Sequence, residues 1–267
     1  MDTDLLFMSA TDLAEAIRNG RVSPVEAVDA VLEGIDRLNP SLNAFCTVTG
    51  EYAREMARKA EAAVMNGEPL GPLHGVPVSI KDILITNGVR TTRGSKRYEW
   101  YVPDEDAPVV KRLKNAGAIM VGKTTTPELG WKATTDSLIF GITRNPWNTD
   151  RTPGGSSGGA AAAVASGLGP LAVGTDGGGS IRIPASFCGI YGLKPSFGRV
   201  PYYPPSAVEP LSHAGPMTRT VRDAALMLSA IAGPFEKDRN TLPADTNDYN
   251  AAVDENINGL KIAWSPD

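Results

Sequence analysis

The chain has 267 residues, enough to bury one substantial core, and a net charge of −4 with no run of like charges. That balance excludes nucleic acid and an anionic membrane as expected partners. Its two cysteines, Cys46 and Cys188, and two histidines, His74 and His213, are scattered, which argues against a disulfide framework or a Cys/His zinc site and suits a reducing cytoplasm. No basic segment followed by an apolar core opens the chain, so no signal peptide is expected.

The first third, residues 1–66, reads as a helical portion that packs on the core. Residues 11–18 form a short helix ended by Asn19-Gly20. Ser23-Pro24-Val25-Glu26 is a capping box with proline at the first helical position. The helix it opens lines up Ala27, Val28, Val31, Ile35 and Leu38, and Asn39-Pro40 is expected to stop it. Residues 51–65 make another amphipathic helix, and residues 67–75 a loop. An apolar, strand-like run then ends in Lys81-Asp82. Residues 108–116 read as a helix, 118–121 as a strand and 124–127 as a turn.

Glycine and serine dominate the next part. PGGSSGG at 153–159 precedes a helix-forming alanine run at 160–166 and a buried-strand pattern at 170–173, and then comes Gly177-Gly178-Gly179-Ser180. An isolated Gly-Ser run is usually a linker, but two such turns bracketing a helix and a strand point to a built site. Residues 158–173 are long and uncharged, yet Pro170 breaks them, so no membrane span is read there. Three residues without side chains before a hydroxyl can aim backbone N–H groups at one spot, holding a developing oxyanion beside the attacking oxygen. A phosphate loop needs a lysine beside the serine. Here Ile181-Arg182 follows Ser180, which favours an acyl-transfer nucleophile. Its base is either a histidine or Lys81, and Lys81 either enters the interior or emerges into solvent at its strand end. Residues 194–210 form a loop in which Tyr202 and Tyr203 either rim a substrate entrance or are ordinary surface aromatics. Residues 220–232 read as a helix, 235–256 as a polar loop and 260–264 as a strand. Alternating strands and helices imply an α/β protein.

GVPVSIKD at 75–82, PGGSSGG at 153–159 and GTDGGGSIR at 174–182, followed by FCGIYGLKP, resemble the amidase signature family of serine hydrolases from about Thr11 onward. The resemblance implies a mixed, twisted β-sheet core covered by helices, in a single domain over residues 1–267. It implies Lys81 as the base, Ser156 as a relay serine after a cis Gly155–Ser156 bond, and Ser180 as the nucleophile. Backbone N–H groups of Gly177, Gly178, Gly179 and Ser180 would form the oxyanion hole. Ser157, Thr175, Asp176 and Arg182 would orient the serines, with Asp176–Arg182 an ordinary ion pair as the alternative. No cofactor or metal is implied. A small-molecule amide is the expected partner, and a homodimer the expected alternative to a monomer. Family members are markedly longer, so the chain is expected to be a C-terminally truncated fragment that lacks the part completing the sheet and the acyl pocket.

Three functions fit the residues. The first is an amide hydrolase. The second is the glutamine-amidase subunit of a tRNA-dependent amidotransferase complex, which typically has Gln where this chain has Ile183 and an Asp-containing stretch where it has Thr126-Pro127-Glu128. The third is a binding module that keeps the fold, which the presence of Lys81, Ser156 and Ser180 disfavours. Cys188 as a nucleophile lacks an evident base.

Overall fold

A computed structural model describes residues 3–244 and 246–264. Its centre is a six-stranded mixed sheet, in the order β1-β3-β2-β6-β8-β7. In chain order the helices and strands are α1 (Thr3–Phe7), α2 (Ala10–Arg18), α3 (Pro24–Leu42), β1 (Phe45–Val48), α4 (Gly50–Met65), β2 (Pro77–Lys81), α5 (Pro108–Asn115) and β3 (Ile119–Thr124). They continue as β4 (Asp136–Ser137), β5 (Gly141–Ile142), α6 (Gly158–Ala165), β6 (Leu171–Asp176), α7 (Arg182–Cys188), β7 (Tyr191–Gly192), β8 (His213–Thr218), α8 (Val221–Ile231) and α9 (Tyr249–Ala252). Strands β3, β2 and β6 run parallel at the centre, and β1, β8 and β7 join antiparallel. Strands β4 and β5 form a separate two-stranded pair.

The sheet's alternation sorts its side chains into two layers. Val78 and Ile80 of β2, Met120 of β3, and Leu171 and Val173 of β6 share one core with residues of α2, α5 and α8. Ile119 and Val121 pack on the opposite side with α3, α4 and part of α6, while Ala172 and Met217 meet the rest of α6 and Ile181. By the same period, Ser79 and Lys81 turn away from the α2/α5/α8 side. The amphipathic faces of α2, α3 and α4 are thus consumed by the core. Among the described residues no helix is long and apolar enough to cross a membrane.

Several local expectations are corrected. Helix α3 passes through Pro40 to Leu42, because a proline in the last turn removes only one hydrogen bond there. Asn39 makes up the difference: its Oδ1 accepts from Ala44 N and Phe45 N, at 2.8 Å each. The first third is not wholly helical, since β1 pairs with β3 as an edge strand. Strand β8 lay hidden because Gly215 and Pro216 interrupt its apolar pattern. The expected loop over 235–256 contains the short helix α9. Residues 260–264 are not a strand; Leu260, Ile262 and Trp264 are exposed, and among the described residues no strand pairs with them.

The start of α6 depends on two glycines. A Cβ on Gly159 would lie 2.3 Å from Thr125 Oγ1, 2.5 Å from Thr125 N and 2.6 Å from Ala44 O, so backbone would have to move. Gly159→Ala should therefore cost about 1–3 kcal/mol through overpacking and lower Tm by roughly 2–10 °C. A thermal melt unchanged from that of the parent chain would contradict the close approach of α6 to β3.

Candidate active site

The carboxyl ends of the three parallel strands converge, the usual place for a site in a sheet of this kind. Lys81 ends β2 and is fully buried. Its Nζ lies 2.6 Å from Ser156 Oγ, 2.8 Å from Ser157 Oγ and 2.9 Å from Thr175 Oγ1. Three neutral oxygens suit either an ammonium with three donors or an amine with two donors and one lone pair. With no carboxylate among the described residues in contact, burial pushes the Lys81 pKa down to about 7, with the charge of Asp176 opposing the shift. Of the two readings of Lys81, the interior one holds.

The two adjacent serines are held differently. Ser157 N donates to Ser180 O at 3.1 Å. Ser157 Oγ donates to Thr175 O and accepts from Thr175 N, both at 3.2 Å, so β6 occupies this hydroxyl. Ser156 follows a cis Gly155–Ser156 bond, and its hydroxyl meets Lys81 alone among the described side chains. Gly130, at φ +70, faces it; a Cβ there would come within 3.2 Å of Ser156 Oγ. Thr135 braces the same turn, donating to Gly154 O at 2.8 Å and accepting from Gly158 N at 3.1 Å.

Asp176 staples the second turn. Its buried carboxylate accepts from Gly179 N at 2.7 Å and Ile181 N at 3.1 Å, and from Arg182 Nε and Nη2 at 3.0 and 2.9 Å. Burial alone would raise its pKa, but Arg182 and these N–H groups outweigh burial and hold it at about 2. The Asp176–Arg182 contact is thus a two-point ion pair that also orders the turn. One expectation changes here: the Gly179 N–H, assigned to the oxyanion hole, is taken up by Asp176. Gly177, Gly178 and Ser180 line a cleft of about 340 Å³ together with Ser156, Thr175, Gly130, Ile83, Trp131 and Ile183.

Neither histidine approaches Lys81. His74 Nε2 contacts Ala60 O, and His213 contacts Asp176 O, Leu211 O and Lys194 Nζ. Cys188 is buried, with its thiol raised to about 12 by that burial, and its sulfur faces Pro153 O. Sequence reasoning missed a second interior lysine, Lys123 at the end of β3. Its Nζ donates to Leu84 O at 2.5 Å, Thr91 Oγ1 at 2.9 Å and Thr86 Oγ1 at 3.0 Å, which ties down the loop after Lys81. Burial lowers its pKa to about 8 against the pull of Asp82. The signal was available, since Gly122-Lys123-Thr124 puts a lysine at the end of an apolar strand just as Ile80-Lys81-Asp82 does.

The sequence matches the amidase family profile over residues 26–267. The chain belongs to the amidase signature family. It is 46% identical over 260 residues to the A subunit of the glutamyl-tRNA(Gln) amidotransferase of Carboxydothermus hydrogenoformans, covering 97% of this chain and 54% of that protein. It is 43% identical over 270 residues to an acylamidase of Rhodococcus erythropolis, covering 99% and 56%. A solved bacterial aryl acylamidase of the amidase signature family matches with a TM-score of 0.88 at 39% identity, over 92% of this chain and 52% of that one. The chain therefore spans about half the length of the curated relatives it matches.

For this amidase signature chain the Lys81 placement has a measurable cost. Between about pH 7 and the ordinary lysine value of ~10.4, the unfolded chain keeps a proton that the folded chain has released, so stability rises with pH. Lys81→Met should be more stable than the parent by a margin that is widest at and below pH 7. That margin should shrink toward pH 9 by about 1.4 kcal/mol per pH unit. Urea unfolding at both pH values measures it, and a pH-independent margin would contradict an interior amine.

Proposed function

We propose that this chain is an amide hydrolase that works through an acyl-enzyme at Ser180, with Ser156 and Lys81 as its proton path. The contact of Lys81 Nζ with Ser156 Oγ at 2.6 Å, in the wall of a cleft that Ser180 shares, carries this reading. With a pKa of about 7, roughly half of the Lys81 side chains are neutral at that pH and able to accept a proton. Ser156 rather than Ser157 is the relay, because the Ser157 hydroxyl is engaged by both backbone groups of Thr175.

In the acylation step the Ser180 hydroxyl proton passes to Ser156 Oγ as the Ser156 proton passes to Lys81 Nζ. Ser180 Oγ bonds to the amide carbon, and the resulting oxyanion faces the N–H groups of Gly177, Gly178 and Ser180. Collapse breaks the C–N bond while the proton returns through Ser156 to the leaving amine. Water then attacks the ester by the same route and releases the acid and Ser180. Ile83, Leu129, Trp131, Ile183 and Val208 on the cleft wall suit an apolar group next to the amide. The free thiols of Cys46 and Cys188 suit a reducing cytoplasm.

A second reading has its own support. Similarity to the amidotransferase protein is as high as similarity to the acylamidase, which favours glutamine as the amide donor within a larger complex. Ile183 weighs against it, since a hydrocarbon side chain in the cleft offers no hydrogen bond to a polar amide substrate. Release of ammonia from glutamine faster than cleavage of a simple acyl anilide would decide for this second reading.

A fluorophosphonate probe should label Ser180, located by peptide mass. Labelling should accelerate as pH rises through about 7, where Lys81 loses its proton. Ser156→Ala should slow acylation by about 10²–10⁴-fold with apparent affinity preserved, because the relay acts only on proton movement. A label on another residue, or one indifferent to Lys81→Ala, would overturn the mechanism.

A further inference from the structure

A second cavity of about 730 Å³ adjoins the cleft. Both are lined by Ile83, Leu129, Trp131, Tyr202, Ser206 and Val208, so a molecule seated at Ser180 can extend from one into the other past a largely apolar wall. Among the described residues, four charged side chains line the larger cavity: Arg93, Glu128, Lys132 and Asp136. Lys132 pairs with Asp136 at 2.5 Å, and Glu128 Oε1 accepts from Ser95 Oγ at 2.6 Å.

Arg93 is the exception. Among the described residues its guanidinium enters no ion pair, and its Nε is buried without a hydrogen-bond partner. The group instead lies over the rings of Tyr98, at 4.8 Å, and Tyr101, at 6.0 Å. Stacking uses the face of a guanidinium and leaves its in-plane N–H donors free, in the fork that matches a carboxylate. The Arg93 charge also reaches Tyr202, opposing the burial that raises that hydroxyl to about 12. Arg93 and Leu129 both have left-handed backbone, at φ 54 and 52, and Leu129 N donates to Arg93 O at 2.8 Å. Non-glycine residues pay for this conformation and keep it only where the surroundings over-determine it. Here it sets both side chains at the cavity wall.

We infer that Arg93 receives a carboxylate of the substrate, so that the preferred substrate is an amide with an acid group at the far end of an apolar spacer. This rests on Ser180 being the site of acylation, which fixes where the amide sits. It goes further in naming a substrate class. The negative charge of Glu128 on the same wall works against the anion and moderates the preference.

The test is equilibrium binding to the Ser180→Ala chain, where turnover plays no part. Two matched pairs serve as probes. Adipic acid monoanilide against hexananilide puts the acid on the acyl side; 4-(4-acetamidophenyl)butanoic acid against 4′-butylacetanilide puts it on the amine side. In at least one pair the acid should bind about tenfold tighter than its neutral twin, and that pair tells which side of the amide faces Arg93. Adding Arg93→Met should bring the preference below about threefold, and Arg93→Lys should leave it in between. Equal binding of acid and neutral twin in both pairs, or a preference that survives Arg93→Met, would overturn the inference. If Arg93→Met does not fold, Glu128→Gln decides, since it should tighten the acid by about twofold or more, and no gain would count as failure. Acids that bind through Arg93 but are never hydrolysed by the parent chain would count against the hydrolase reading and leave only Arg93 as the carboxylate contact of the cavity.

Discussion

A primary amine enclosed by three hydroxyls, with no carboxylate among the described residues touching it, is the constraint on which the rest of this structure depends. Water would solvate the ammonium form of Lys81 strongly, and the interior replaces that water with Ser156, Ser157 and Thr175. Neutral oxygens return only part of the lost solvation, so the proton is held loosely. The charge that opposes this loss belongs to Asp176, and its carboxylate is already occupied by Arg182 and by backbone donors. That arrangement keeps Asp176 ionised and still leaves Lys81 close to neutrality.

The fold serves that amine from three directions. Parallel strands β2 and β6 bring Lys81 and Thr175 to neighbouring carboxyl ends, as hydrogen-bonded partners in a sheet must be. The turn before α6 delivers the two serines, and it comes close enough because Gly158 and Gly159 present no side chains to Thr135 and Thr125. Asp176 then draws the second glycine turn back over the end of β6, so the residue that shapes the Ser180 loop lies in sequence next to one that touches Lys81. Lys123 repeats the device one strand away, using carbonyl and hydroxyl acceptors to fasten the segment that walls the cleft.

Much of this was legible in the residues. The capping box at Ser23, the apolar run of β2 that ends in Lys81, and the two glycine-serine turns each depend on local chemistry, and each appears where it was expected. What was not legible depended on partners distant in the chain. Strand β8 exists because β6 offers it a ladder despite Pro216, and β1 because β3 does. The apolar alternation at 260–264 forms no strand, since alternation specifies an extended segment only where another strand can pair with it. Pro40 did not end α3 because the side chain of Asn39 meets the backbone groups of the next turn.

The same division runs through the site. The blocks around Lys81, Ser156 and Ser180 point to serine chemistry through their resemblance to the amidase signature family, and the roles proposed for them rest on that resemblance. Only the folded chain decides that the Ser157 hydroxyl is engaged by Thr175 while that of Ser156 is not, that the Gly179 N–H is taken by Asp176, and that Arg93 lines a cavity with no ion-pair partner among the described residues. Those are questions of which donors and acceptors meet once the backbone has folded, and pairings of that kind are set by packing rather than by local pattern.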